Sequence, residues 1–538
     1  SITTQDSDLF VAEGKILSLI GGDLELNGNS SVIFDEGRYK AITANSKLTA
    51  EAGHINLISI NSGEFINQSF ELNGKGGKII LNKTLLDTSG KGSGSIFIHG
   101  GKLVMQEAVI QANTLGNQDG KEINIHMDES IDISGNLVGI LSKTFSDSKG
   151  GAINIITPNL KIVGSILNSS SFAAGNSGDV NIKTDKFELK QGGMIGSGAM
   201  GTGKSSQFYI EARESLALIG QREITITSDG GKFINYASII ATSAHSGVGG
   251  DLIVKTGILH MDQSFVGTST DGSGNSGDVM IQADTIDIIN GGVIVSSSAG
   301  LGSPGNLSII ANNKLSMSGR RPSPYITITG IQFDNLQSGI NSFSLFGTGG
   351  NISISVPNFE IDNEALISAS SLGMAGIMTG DSGSIKIDTE NLSIINGGNI
   401  DNSNGVSVGS TFFTGPENGG DIQINAKDIV ISGDNLASSI SSNTYTEGQG
   451  GNIKTQTDSL KINGTSSISA SSASTGNAGQ INIYANNIHL TNQGSISTEA
   501  ENATGGNILI STPNLIYLHK GEITTSVGIG KAKGGNID

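Results

Sequence analysis

Gly350-Asn351-Ile352-Ser353-Ile354, then Pro357-Asn358-Phe359-Glu360-Ile361, then Leu366-Ile367-Ser368-Ala369-Ser370: these three runs form one unit of a repeat that extends through most of the chain. Aliphatic residues stand two and four positions after the glycine, at Ile352 and Ile354. A second apolar pair begins nine positions after it, at Phe359 and Ile361, and a third apolar position comes at seventeen, Ile367. The residues that alternate with them along the strands are Ser353, Ser355, Glu360, Asp362 and Ser368. Alternation with a period of two, in runs of four or five, marks short strands with one buried face.

The glycine recurs at Gly151, Gly178, Gly250, Gly277, Gly305, Gly350, Gly383, Gly420, Gly451, Gly479, Gly506 and Gly535, with weaker copies at Gly203, Gly77 and Gly120. The basic spacing is roughly 27 residues, stretched in some units. The inner offsets keep their places: Ile422 and Ile424, Ile481 and Ile483, Ile508 and Ile510 in the first strand; Ile429 and Ile431, Ile488 and Leu490, Leu515 and Tyr517 in the second; Ile195, Ile294, Ile400, Ile468, Ile496 and Ile523 in the third. One unit reads as strand, corner, strand, corner, strand and a long corner. The expectation is an all-β fold, a right-handed parallel β-helix (a solenoid), with about three short strands per coil. A set of β-sandwiches would alternate too, but its inward residues would not hold fixed offsets from a glycine. An isolated coil cannot bury its apolar face, so stability must come from stacking.

The corners carry matching chemistry. Asn159, Asn358, Asn391, Asn487 and Asn514 precede second strands, where an amide can bond its neighbour in the next coil. Glycines before the first and third strands suggest backbone at positive φ. Small residues follow the third-strand aliphatic, at Ser296, Ala369, Ala470, Thr498 and Thr525, and would let that side lie close to the others.

Composition narrows the function classes. The chain has 538 residues, 78 of them glycine but only 7 proline, which separates it from collagen and from proline-rich linkers. Cysteine is absent, which excludes disulfides and thiolate metal sites. The formal net charge is −18 with no basic cluster, the wrong sign for a nucleic-acid binder. No apolar run is long enough for a transmembrane helix.

The units at Gly350 and at Gly479-Gln480-Ile481-Asn482-Ile483 … Asn487-Ile488 … Gly494-Ser495-Ile496-Ser497 resemble the filamentous-haemagglutinin-type exoproteins of two-partner secretion, and Gly14 to Leu26 resembles the stretch that follows their secretion domain. The resemblance implies export through an outer-membrane two-partner transporter and a secreted or outer-cell-surface protein of a Gram-negative bacterium. It also implies a non-catalytic structural adhesin that attaches to glycans or cell-surface receptors. The family's Asn-Pro-Asn-Gly and Asn-Pro-x-Leu motifs do not occur, so the chain reads as an excerpt. In that reading, residues 1–76 are an N-terminal β-helical segment following a missing secretion domain. Residues 77–538 are the repeat array, with long insertions at 219–249 and 319–349. The rivals are a β-helical polysaccharide-active enzyme and a passive stalk for a toxin or binding tip outside the chain.

No catalytic, cofactor-binding or metal-ligating residue is assigned. His54, His99, His126, His245, His260, His489 and His519 are scattered without zinc-ligand spacing and read as solvated. Asp251 and Asp278 share a register in successive coils, which would place them about 5 Å apart, the spacing of a retaining glycosidase pair. No Lys or Arg shares that register, and solvated corner residues are the expectation, ahead of a bound cation. Gly74-Lys75-Gly76-Gly77-Lys78 and Gly90-Lys91-Gly92-Ser93-Gly94 precede strands and lack phosphate-loop spacing. The two insertions carry Ile224–Thr227 and Ile326–Thr329 beside Arg222, Arg320 and Arg321. They are expected to be extra hairpins, with a contact surface as the functional alternative. Length variation is expected mainly in the third corner, also at 372–382 and 402–419. Apolar Phe343, Phe346, Phe412 and Phe413 are expected to fold back on the solenoid.

Overall fold

The computed structural model describes residues 1–34, 41–66, 71–136, 138–226, 232–321, 325–326, 332–333, 336–371, 380–404, 417–433, 435–528 and 533–538. Among them there is no helix, and the strands pair in parallel from coil to coil in two series, as expected for a parallel β-helix. In one series Val279–Ile289 pairs with Leu307–Ser318, which pairs with Ile352–Asp362, which pairs with Ile385–Ile395. In the other, Val293–Ser298 pairs with Gly339–Ser344 and that with Leu366–Ser368. Antiparallel pairing is confined to excursions, so the sandwich alternative falls. The chain divides into two compact units, residues 1–257 with 326–330, and 258–325 with 331–538.

The first and second strands of the repeat are distinct in some coils, as at Ile153–Ile156 and Asn159–Val163, and Ile422–Asn425 and Asp428–Gly433. In others they run together through the first corner, as in Val180–Lys190. The corner then appears as a register shift, between Thr184 and Lys186 or between Ala283 and Thr285. Such one-residue adjustments correct part of the sequence reading. In the last complete coil Ile516 and Leu518, not Leu515 and Tyr517, stand opposite Ile488 and Leu490. The residues at the other offsets form the core: Ile352, Ile354, Phe359, Ile361 and Ile367 are each at most 2% exposed.

The marker glycines have a cause other than the expected one. None of them has positive φ; that conformation occurs at the second corner, in Gly192, Gly291, Gly397 and Gly464. A marker glycine is needed because the next backbone is too close. A Cβ on Gly178 would lie 2.0 Å from the carbonyl oxygen of Gly151, and one on Gly479 would lie 2.1 Å from that of Gly451. In the earlier coils the markers are Gly53 and Gly94, whose stacking is equally tight, and Ser206, on which Gly250 sits. Gly77, Gly120 and Gly203 are outside this register; Lys121, not Gly120, lies under Gly151.

The small third-strand residues do more than save space. Ser169 Oγ donates to the carbonyl of Gly178 at 2.7 Å, Thr268 Oγ1 to Gly277 at 2.6 Å and Thr498 Oγ1 to Gly506 at 2.6 Å. These hydroxyls are buried, and each satisfies a buried marker carbonyl across the coil. A second interior anchor lies at the first corner: Thr184 Oγ1 donates to Pro158 O at 3.0 Å and Thr457 Oγ1 to Lys427 O at 2.9 Å. The corner asparagines behave less uniformly than a ladder. Asn391 Nδ2 donates to Asn358 Oδ1 at 2.9 Å, whereas Asn159 and Asn358 reach backbone carbonyls of the preceding coil.

The two long insertions leave from the second corner, not the third; 372–382 and 402–419 follow the third strands Leu366–Ser368 and Asn399–Asp401, as expected. Gln221–Ile226 pairs antiparallel with the start of Lys232–Ala244, a hairpin as expected; residues 239–244 are already third strand. Ser238 N donates to Gly220 O at 3.1 Å and closes its neck. The second long insertion has the same neck, Ser338 N to Gly319 O at 2.8 Å. Gly339–Ser344, including Phe343, belongs to the third-strand ladder. Two further hairpins were not anticipated: Ile33–Phe34 with Ala41–Thr43, and the end of His54–Ile66 with Glu71–Gly76 at the first corner. Fold-back does occur beside the first of these, where Val32 joins Leu85, Val109, Val138 and Leu141 in a small apolar cluster outside the coil interior. Phe412, Phe413 and most of 372–382 and 402–419 lie outside the described residues.

Candidate functional site

The first corner turns the outer surface of the solenoid into a groove. In the first unit it has a volume of about 490 Å³. Its inner wall is one register row across successive coils, His126, Ile156, Lys183 and Glu211, which continues beyond the groove to the buried His99. Its outer wall consists of the corner residues Asp128, Pro158, Asp185 and Arg213. Side chains of a parallel ladder stand about 4.8 Å apart along the stack, so each coil contributes one pair to the groove. The buried threonines Thr157 and Thr184 fix the corner beneath it.

One ion pair of this groove joins two of its outer-wall charges. Arg213 Nε and Nη2 both contact Asp185 Oδ1, at 2.6 and 2.5 Å. Tyr209 donates to Glu211 Oε2 at 3.1 Å, and burial together with this carboxylate raises the phenol above its usual pKa. Lys255 sits 5.8 Å from the Tyr209 ring centroid. At one end His99 Nε2 lies 4.0 Å from Asp128 Oδ1. Burial lowers the His99 pKa and the neighbouring His126 lowers it further, against a smaller opposing effect of Asp128. Between the polar coils, Ile156 is 47% exposed beside Pro158 and forms an apolar seat.

The same corner forms a groove of about 320 Å³ in the second unit. There Gln456, Tyr484 and Ser511 make the inner row, Asp458, Asn486 and Pro513 lie at the corner, and Asn486 Nδ2 donates to Asp458 Oδ1 at 2.8 Å. Tyr484 is 39% exposed, with Lys454 Nζ 6.0 Å from its centroid.

A third depression, of about 440 Å³, lies over the glycine ladder between Asn351 and Asn452. Its polar atoms already hold the coils together. Asn418 N donates to Asp381 Oδ1 at 2.7 Å, Gln449 N to Asn418 Oδ1 at 2.9 Å and Asn452 N to Asp421 Oδ1 at 2.8 Å. Asp278 belongs to this pattern, accepting from Asn306 N at 2.7 Å. Asp251 and Asp278 fall in different compact units.

His126, His245 and His519 are exposed as expected, whereas His54, His260 and His489 are half-buried and His99 is buried. His99 is 6% exposed and its ring centroid lies 4.8 Å from that of His126, directly opposite in the next coil. His260 Nδ1 lies 3.0 Å from Asp287 Oδ2, and His489 packs 5.8 Å from Tyr517. Each of these partners is about one repeat away in sequence, which is the signal that metal-motif spacing misses. Arg320 forms a two-toothed pair with Glu364 at 2.5 and 2.6 Å, and Arg321 is buried. The groove residues Lys183, Asp185, Glu211 and Arg213 were not singled out from sequence, because adjacency across a corner appears only after the coils are aligned.

Among the described residues no three His, Cys, Asp or Glu side chains are grouped to hold a metal ion, and no helix is long and apolar enough to cross a membrane. Comparison of the chain with protein-family models, with curated proteins and with solved structures finds no match in any of the three.

Proposed function

We propose that the protein is a non-catalytic attachment scaffold, a secreted or surface-exposed adhesin of the filamentous-haemagglutinin type that holds glycans or cell-surface receptors by repeated weak contacts. Export through an outer-membrane two-partner transporter is part of the same reading and rests on the sequence resemblance alone. The observation that favours attachment over turnover is the use made of the polar side chains. Those of the third corner, Asp278, Asp381 and Asp421, hold backbone N–H groups of the next coil. The closest carboxylate and cation of the first-corner groove, Asp185 and Arg213, are engaged with each other. A general acid or base must reach the proton it moves, and these groups are turned toward protein partners. Repetition along a stack supports avidity, since linked weak sites act at high effective concentration.

The test has two arms. The purified chain is measured for adhesion to bacterial and host-cell surfaces, and for turnover of neutral and acidic polysaccharides with and without calcium. Adhesion without turnover is expected. Turnover that vanishes in Asp185→Asn or Asp278→Asn would replace this reading with the enzymatic one. A chain that adheres to no surface would reduce it to a passive stalk.

A further inference from the structure

We propose that the first-corner grooves bind an extended, uncharged glycan that advances one pyranose ring per coil; this names a ligand class within the attachment reading and rests on it. Two independent grooves share the design. In the first unit the apolar seat is Ile156 beside Pro158, and in the second it is Tyr484 beside Pro513. Ile156 and Tyr484 are 47% and 39% exposed, and both are outward side chains whose neighbours in the adjoining coils, His126 and Lys183, and Gln456 and Ser511, are polar.

A pyranose ring has an apolar C–H face and a rim of hydroxyls. An aliphatic or aromatic side chain next to a proline matches the face, with aromatic surface giving the larger contact. The rim needs donors and acceptors on neighbouring coils. They stand there: His126 and Asp128 on one side of Ile156, Lys183 and Asp185 on the other. Around Tyr484 the corresponding groups are Gln456, Asp458 and Asn486. The coil spacing of about 4.8 Å is close to the advance of one residue in an extended β-linked pyranose chain. A glycan lying along the groove therefore advances about one ring per coil, with one ring on the apolar seat and its neighbours against the polar side chains above and below.

The charge pattern selects against polyanions. The wall of the first groove carries Asp128, Asp185 and Glu211 against Lys183 and Arg213, and Arg213 is bound to Asp185. An acidic polymer would face these carboxylates with no unpaired cationic cluster to offset them. An uncharged hydroxyl can accept from an ion-paired guanidinium and donate to an ion-paired carboxylate without breaking the pair.

Isothermal titration of the whole chain checks this with β-1,4-linked hexamers of glucose, N-acetylglucosamine and mannose, and with hexagalacturonate as the acidic counterpart. At least one neutral hexamer is expected to bind at two sites and to bind at least tenfold more tightly than hexagalacturonate. Ile156→Asp and Tyr484→Ala should each remove one site, and the double variant should remove both. Circular dichroism and the thermal midpoint verify that the variants fold; Ile156→Ser and Tyr484→Phe serve as milder replacements, with Tyr484→Phe retaining its site. No binding of any neutral hexamer, equal or tighter binding of hexagalacturonate, or an unchanged stoichiometry in the double variant overturns the inference. If the double variant loses hexamer binding but still adheres to cells, the grooves bind glycans and adhesion resides elsewhere. If the wild type binds hexamers but adheres to no cell, the attachment reading fails and the groove assignment stands.

Discussion

A Cβ placed on Gly383 would sit 2.2 Å from the carbonyl oxygen of Gly350, one coil earlier. No side chain fits that gap, and relief requires the two coils to separate. Gly383→Ala is therefore expected to cost several kcal/mol, at the upper end of single-site effects. Gly220→Ala meets nothing within 4 Å but strains a residue at φ +70°, and should cost about 1 kcal/mol. Thermal midpoints of the two variants rank the effects; equal losses would show that contact along the ladder is not what selects glycine.

Thr268 offers a narrower test of the interior hydroxyls. Its Oγ1 donates to Gly277 O at 2.6 Å and lies 3.1 Å from Ser296 Oγ. Thr268→Val keeps the shape and removes the donor, leaving a buried carbonyl short of a partner at a cost of about 1–3 kcal/mol. Thr268→Ser retains the bond and should cost less. Chemical denaturation of both variants distinguishes hydrogen bonding from simple packing.

Lys143 is 2% exposed on the covered outer face of its third strand, and burial lowers its pKa from 10.5 to about 8. The folded state holds this proton less firmly than the unfolded chain, so its contribution to stability rises as pH increases from about 8 to 10.5. The full penalty, of order 3 kcal/mol by the usual conversion, acts below pH 8. Lys143→Met should raise the thermal midpoint at pH 7 and flatten its rise toward pH 10. A midpoint at pH 7 lower than wild type would refute the account.

Two histidines are expected to act with opposite sign. Burial and His126 depress His99 below 6.5, so its contribution is complete above 6.5 and is lost as pH falls below that value. The hydrogen bond to Asp287 raises His260 above 6.5; its contribution is complete below 6.5 and is lost as pH rises through its folded pKa. Histidine NMR titrations read both directly. His99→Gln should reduce acid sensitivity, and His260→Gln should remove the loss on the alkaline side.

Excision probes the second-corner hairpins. The bond from Ser238 N to Gly220 O closes the neck of one excursion and that from Ser338 N to Gly319 O closes the other. Deleting 221–237 or 320–337 removes no residue of the coil-to-coil ladder, so the shortened chains should fold, losing by circular dichroism only the β signal of the excised hairpin. Removing 339–344 instead takes out a third strand and should break the stack.

The solenoid could be read from sequence because its core is periodic. Ile352, Ile354, Phe359 and Ile361 recur at offsets that only stacked coils reproduce, and they are buried as that pattern requires. Positive φ holds for several glycines before the third strand, but the cause of the marker glycines could not be read, because positive φ and close approach both select glycine. The second, close approach, explains Gly178 and Gly479; the first explains Gly192 and Gly291. Corner positions drift by a residue, which hid the true partners of Ile488 and Leu490. The groove was hidden for a related reason. Lys183 and Glu211 are 28 residues apart in sequence and opposite each other in space, and a polar residue within one repeat gives no hint of its neighbours above and below. The His99–His126 and His260–Asp287 pairs were within reach of the same alignment.

Because the backbone hydrogen bonds join each coil to the next, a pulling force applied at the ends of either unit loads its ladder in series. The coils should then peel away singly, beginning at an exposed end, and should not yield together. Each release of about 28 residues would lengthen the tether by about 90–100 Å. Excursions closed at their necks, such as 221–237, would add their own contour length in a separate, smaller step. A surface protein built this way would behave under flow as an extensible damper that dissipates work coil by coil while its remaining coils stay intact.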